Sequence, residues 1–197
     1  MLNYEISKNG YEQFKKDLQI NQEAFPWFAD EKTFLDNFRI SADRDIVLQQ
    51  IKTINSKYST HLSFGNSNAP DEGGELADFI TSDRFQKEIK TKDKDVAAAL
   101  VTDLAKAAKT RGRFLLSFAS KYCHHCNPNM FPIYDKVNAD YLKEHYSYKD
   151  KKDYWEYIDA YSMFCSKIGV DLESGSADKY EGFYVDKFIN NIDKESR

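Results

Sequence analysis

The stretch "SKYCHHCNPNMFPIYDKVN", residues 120–138, decides how the chain is read. It sets Cys123, His124, His125 and Cys126 in succession, then Pro128 and Pro132, then a solitary acid, Asp135. The prolines cannot continue a helix and drive the residues before them into extended conformations, so 127–134 is predicted to cross between two helices. Asp135 falls at the N-cap of the second, "KVNADYLKEHY", where a carboxylate stabilises the helix by about 1 kcal/mol. The Cys/His cluster has zinc-ligand types, but a structural site needs four convergent ligands, and Cys165, His61 and His145 are isolated. Neither a metal nor a cofactor is expected. Cys123 and Cys126 share a helix face and pack as small hydrophobes, leaving His124 or His125 at the helix end to hydrogen-bond or approach a phosphate.

Working outward, helical periodicity dominates. A polar helix is predicted over 7–23 with Tyr11, Phe14 and Leu18 on one face, then a short helix capped by Asp30. Ser41 is predicted to cap a central helix through "DIVLQQIKTINSKY", where Val47, Ile51, Ile54 and Tyr58 repeat at helical spacing. "THLSFGNSNAPDEGG", residues 60–74, is rich in turn formers and is expected to be a long mobile loop. "ELADFI" is read as a short helix, and Val96, Leu100, Leu104 and Ala107 mark another over about 93–109. It breaks at "KTRGR", after which Phe114, Leu115, Phe118, Ala119 and Tyr122 form an apolar helix. "YWEYIDAYSMFCSKI" and "YEGFYVDKFINNI" read as the last two helices, and no strand shows convincing alternation. The expected fold is all-α: one helical domain over 1–197, or two lobes, about 25–110 and 111–197 with the N-terminal helix, around a cleft.

Composition agrees. Of 197 residues 41% are hydrophobic and 15% aromatic, while Gly and Pro number only 8 and 4, which favours long helices over a turn-rich β-fold. There is no apolar run long enough for a membrane span and no signal-peptide core, so a cytoplasmic protein with no membrane partner is expected. Three cysteines make no disulfide framework. The net charge of -4 argues against general nucleic-acid binding, but residues 104–134 hold no Asp or Glu while carrying Lys106, Lys109, Arg111, Arg113 and Lys121. A local cationic surface for an anionic partner is one reading; chance and a buried helix are the other.

A basic Gly-containing turn, an apolar helix and then "P-x-x-x-P-I-Y-D" opening another helix resembles the helix-hairpin-helix DNA glycosylases over about residues 95–145. "IVLQQIKTIN" is loosely similar to an early helix of that superfamily. The longer "SFASKYCHHCNPNMFPIYDKV" also resembles a group of bacterial proteins, a likeness that implies no activity. The glycosylase resemblance implies that Asp135 is the catalytic aspartate and that Arg111, Gly112 and Arg113 form the hairpin gripping double-stranded DNA; Lys109 and Lys121 of the cationic stretch and His124 at the helix end are further candidates for DNA contact. The "L-P-G-x-G" hairpin is absent. The lysine of bifunctional members has no match at its position, where Leu115, Leu116 and Ser117 stand, so a monofunctional enzyme without lyase chemistry is implied.

Such an enzyme flips a damaged or modified base from the stack and uses a carboxylate to stabilise an oxocarbenium-like state. Trp27, Phe28, Tyr58 and Tyr134 are candidates for stacking on the base, with Asn55, Lys57 and Thr60 as polar groups facing it. Each of these has an ordinary structural alternative as core or helix end. Repair and anti-phage defence would both use this chemistry. Two other readings stand beside it: a non-catalytic helix-hairpin-helix DNA-binding module, and a helical protein-interaction component of a stress or toxin system.

Overall fold

The computed structural model describes residues 4–21, 23–60, 62, 72–108, 114–146, 148–149, 153–174 and 177–196. Among these the chain is all-helical: α1 (Lys8–Ile20), α2 (Phe28–Asn37), α3 (Arg44–Tyr58), α4 (Glu72–Thr81), α5 (Asp83–Glu88), α6 (Lys94–Ala107), α7 (Leu116–Cys126), α8 (Lys136–Tyr146), α9 (Tyr154–Lys167) and α10 (Glu181–Ser196). The expected 60–74 loop ends earlier than predicted, because 72–74 already belong to α4; residues 61 and 63–71 of it, and the whole of 109–113, lie outside the described residues.

Short polar side chains start most of these helices. Ser7, Asp43, Ser82, Asp93 and Asp153 each accept from amides in the first turn that follows them. Two expected caps are displaced. Asp30 lies in the first turn of α2, which opens at Phe28 after an uncapped Trp27. Ser41 is replaced by Asp43, whose own amide donates to the Ser41 hydroxyl.

Helix α6 is central because alanines let its neighbours approach closely. Ala97, Ala98, Leu100, Val101, Leu104 and Ala105 are all buried, and α4, α5, α7 and α9 pack around them. α3 lies against α4 and α7, while α8 packs on α9 and α10, and α1 on α10. One hydrophobic cluster runs through all of these, from Tyr4 to Ile192. No helix among the described residues is long and apolar enough to cross a membrane.

The 127–135 segment crosses from α7 to α8 without regular backbone pairing, and its polar groups are satisfied by other helices. His124 Nδ1 lies 2.9 Å from the Phe131 carbonyl, the Tyr154 hydroxyl donates to Pro132 at 2.6 Å, and the Tyr157 hydroxyl donates to Ile133. The Ile133 amide donates to Asp186 at 3.1 Å and that of Tyr134 to the Ser120 hydroxyl at 3.0 Å. At the start of the turn, Asn129 accepts from the Gly182 amide at 2.8 Å and donates to the Asp178 carbonyl at 2.8 Å.

This docking needs glycine at 182. A Cβ there would stand 2.0 Å from the Pro128 carbonyl oxygen, a backbone atom that cannot move aside cheaply. Gly182→Ala is therefore expected to lower unfolding free energy by about 3 kcal/mol, read from urea titration, although alanine is the better helix former.

Candidate functional site

The proline turn, α2, α3, α7 and α10 enclose a cavity of about 390 Å³. Its walls include Trp27, Glu31, Tyr58, Lys121, Asp135, Asp186, Lys187 and Asn190. The volume lies within the usual range of small-molecule sites, about 300–1,000 Å³. Two other concavities have similar or larger volumes, about 410 Å³ beside Lys94 and Glu173 and about 540 Å³ between α1 and α2. Chemistry, rather than size, singles out the first: three carboxylates, two lysines, a tryptophan and a tyrosine converge there from segments far apart in the chain.

Asp135 is half-buried and accepts the Asn138 amide at 2.8 Å through Oδ1, the bond expected of a helix cap. Lys121 is only 7% exposed. Its ammonium donates to the Ser117 hydroxyl at 2.6 Å and lies 5.5 Å from the centre of the Tyr58 ring. Burial depresses its pKa below that of an ordinary lysine, and the Asp135 charge pulls part of the way back. Lys121 therefore belongs to the cavity interior, which corrects its reading as a phosphate contact on the outer surface.

Glu31 anchors the opposite wall. Lys57 stands 3.0 Å and Lys187 3.2 Å from its oxygens, and the Tyr58 hydroxyl donates to it at 3.2 Å. Burial pushes this carboxyl up, but Lys187 and Lys57 outweigh it and hold the pKa below the usual value. Lys187 also lies 5.1 Å from the centre of the Trp27 ring, and Trp27 remains 36% exposed.

Several expected site residues are placed elsewhere. His124 is completely buried, with Nδ1 between the Phe131 carbonyl and Asp186 Oδ2 at 3.2 Å; both are acceptors, so Nδ1 carries the hydrogen and no phosphate reaches it. Burial lowers its pKa to about 3. Phe28 is core, stacked on Phe183 at 6.2 Å, and so forms no stacking surface for a base. Asn55 closes the end of α3, accepting from Thr60 and the Leu62 amide and donating to the Leu62 carbonyl. Tyr134 sets its ring edge-on to Tyr157 at 5.2 Å and is not among the cavity's wall residues. Tyr58 is in the wall, but His125 is stacked on its ring and Lys121 lies close to it, so it cannot sandwich a base. Among the stacking candidates, Trp27 alone keeps both cavity access and exposure.

Lys109, Arg111, Gly112 and Arg113 lie outside the described residues. No three His, Cys, Asp or Glu side chains among the described residues converge as a metal set. Glu31, Asp186, Lys187 and Asn190 escaped the sequence reading. Their signal is an acid on an apolar helix face: Asp186 follows Phe183 and precedes Ile189 at helical spacing, and Glu31 stands likewise between Phe28 and Leu35.

Among the described residues, the fold and site define an all-α protein with a charged cavity built where a proline turn meets the helix α10. The chain belongs to the HI_0787_N family, whose model, described as an N-terminal domain, matches residues 6–130. The match stops short of Asp135 and of α8 to α10. No curated protein and no solved structure matches the chain.

His125 gives the site a testable pH dependence. Its Nε2 lies 2.9 Å from the Tyr58 hydroxyl, Nδ1 has no partner among the described residues, and burial, with His124 and nearby lysines, lowers its pKa well below 6.5. Its contribution to stability is full above pH 6.5 and is lost as pH falls, at about 1.4 kcal/mol per pH unit. The stability of wild type relative to His125→Phe is expected to fall by about 2 kcal/mol between pH 7.5 and 5. Guanidinium titrations of both proteins at the two pH values measure it.

Proposed function

We propose that the protein is a DNA glycosylase that hydrolyses the N-glycosidic bond of a flipped damaged or modified base. One observation carries the reading: the cavity brings together Asp135 and Trp27, chosen from sequence on separate grounds, with Tyr58 and Lys121 in the same wall. In this reading Asp135 stabilises the oxocarbenium-like sugar and orients or deprotonates water, while Trp27 stacks on the extruded base. Glu31, held ionised by Lys57 and Lys187, accepts hydrogen bonds from the base edge. In this reading the helices that line the cavity do the work of the glycosylase lobes, and Lys109, Arg111, Gly112 and Arg113 bind the phosphates of the duplex. Repair of damaged bases and removal of modified bases from phage DNA both fit a cavity with polar walls. The cytoplasm, where such DNA is met, is the proposed compartment.

A panel of duplexes carrying uracil, hypoxanthine, 8-oxoguanine, N7-methylguanine or glucosylated hydroxymethylcytosine tests this, with released bases read by mass spectrometry. Asp135→Asn is expected to slow release about 100-fold or more while leaving duplex affinity unchanged. Binding without release from any duplex would leave the non-catalytic DNA-binding module in its place. Salt-independent indifference to DNA would leave the protein-interaction reading.

Lys121 favours a second course for the same site. A buried amine with a depressed pKa gives up its proton more readily than an ordinary lysine and, once neutral, can displace the base at C1′, after which the sugar ring opens to a Schiff base. The monofunctional expectation has no amine at the site. Borohydride added during turnover is expected to trap wild-type protein on the DNA and to leave Lys121→Ala untrapped; release without trapping assigns the attack to water.

A further inference from the structure

We propose that Asp186 is a positioning residue for Asp135, holding the turn on both sides of it so that its carboxylate faces the cavity. This rests on the glycosylase reading of the site. The two oxygens of Asp186 divide the task. Oδ2 accepts the Ile133 amide at 3.1 Å and lies 3.2 Å from His124 Nδ1, while Oδ1 accepts the Asn138 side-chain amide at 3.2 Å. Asn138 in turn donates its backbone amide to Asp135 Oδ1 at 2.8 Å. Its side-chain oxygen accepts from Asn190 at 2.8 Å, and its side-chain nitrogen also reaches the Ile133 carbonyl at 3.2 Å. One buried acid on α10 thus grips the residue two before Asp135 and the residue three after it.

The chemistry of the position explains why an acid stands there. Asp186 is 1% exposed and has no lysine or arginine bonded to it among the described residues, so its burial is costly. An apolar side chain would fill the space better but would strand the Ile133 amide and the Asn138 side chain. Asparagine would place a donor against one of those two donors. Asn138 cannot turn over to relieve the conflict, because its oxygen holds Asn190 and its nitrogen holds Ile133. Only a side chain with two accepting oxygens meets both demands.

The test uses the full chain with Asp186→Asn, Asn138→Ala and, as a control for general destabilisation, Val101→Ala, a buried change on α6 outside the cavity walls. Amide exchange by NMR at Ile133 and Asn138 is expected to be about ten-fold faster in Asp186→Asn, with the amides of α6 unaffected. Single-turnover base release, on the duplex of the panel that wild type cleaves fastest, is expected to fall about 10- to 100-fold in both turn variants. Affinity for a duplex holding an uncleavable tetrahydrofuran abasic site is expected to stay within about two-fold, since no DNA contact is removed. If Asp186→Asn does not fold, Asn138→Ala decides, because it keeps the backbone cap on Asp135. Unchanged exchange at Ile133 and Asn138, or a rate loss matched by Val101→Ala at equal loss of melting temperature, overturns the assignment. A wild type inert on every duplex overturns the glycosylase reading instead, whatever the exchange rates show.

Discussion

The structure depends on how the crossing between α7 and α8 disposes of its backbone polar groups. A segment with two prolines cannot join a helix or supply its own hydrogen bonds, yet Phe131, Pro132 and Ile133 are buried. Three carbonyls in succession are met by an imidazole of α7 and two tyrosine hydroxyls of α9, and the Ile133 amide by a carboxylate of α10. The aromatic content of the chain follows in part from this: tyrosine brings both apolar bulk for the core and a hydroxyl at its far end. Helices that would otherwise pack loosely through greasy faces are fixed in register by the bonds they make to one irregular strand of backbone.

The same crossing explains why charge collects in the cavity. Where the turn meets α10, polar side chains from both face each other, and several of them, Asp186 and Lys121 above all, are withdrawn from water. Two lysines flanking Glu31 keep one carboxylate ionised, while Lys121 loses part of its preference for the charged form. Glu31 is thereby favoured as the carboxylate, while Lys121 holds its proton less tightly than an ordinary lysine.

Much of this was legible in the sequence because the governing signals are local. Helical periodicity set the helices to within a few residues, except α5, which is too short to show a period and was missed, and the prolines with Asp135 announced the turn and its cap. The lost details are those in which tertiary contacts choose among equal local options. Ser41 and Asp43 can both start α3, and the structure uses the second. His124 and His125 looked available at a helix end because the sequence does not show that α7 runs on through Cys126 with both rings enclosed. The contribution of α10 to the site was invisible for a related reason: Asp186 and Lys187 lie some fifty positions beyond Asp135, and a lone acid on an apolar face does not say which distant amide it serves.

The close seat of Pro128 on Gly182 has a bearing on the order of assembly. During synthesis α1 to α7 emerge first and can form the α3, α4, α6 and α7 contacts among themselves, but the crossing after α7 lacks the Asp186 acceptor and the seat on Gly182 until α10 has been made. Until then the aspartate at its end sits on unsupported chain and faces no enclosure. The cavity is thereby left unfinished on the ribosome until the arrival of a helix that brings no aromatic bulk to its wall, only an acid, a base and two amides.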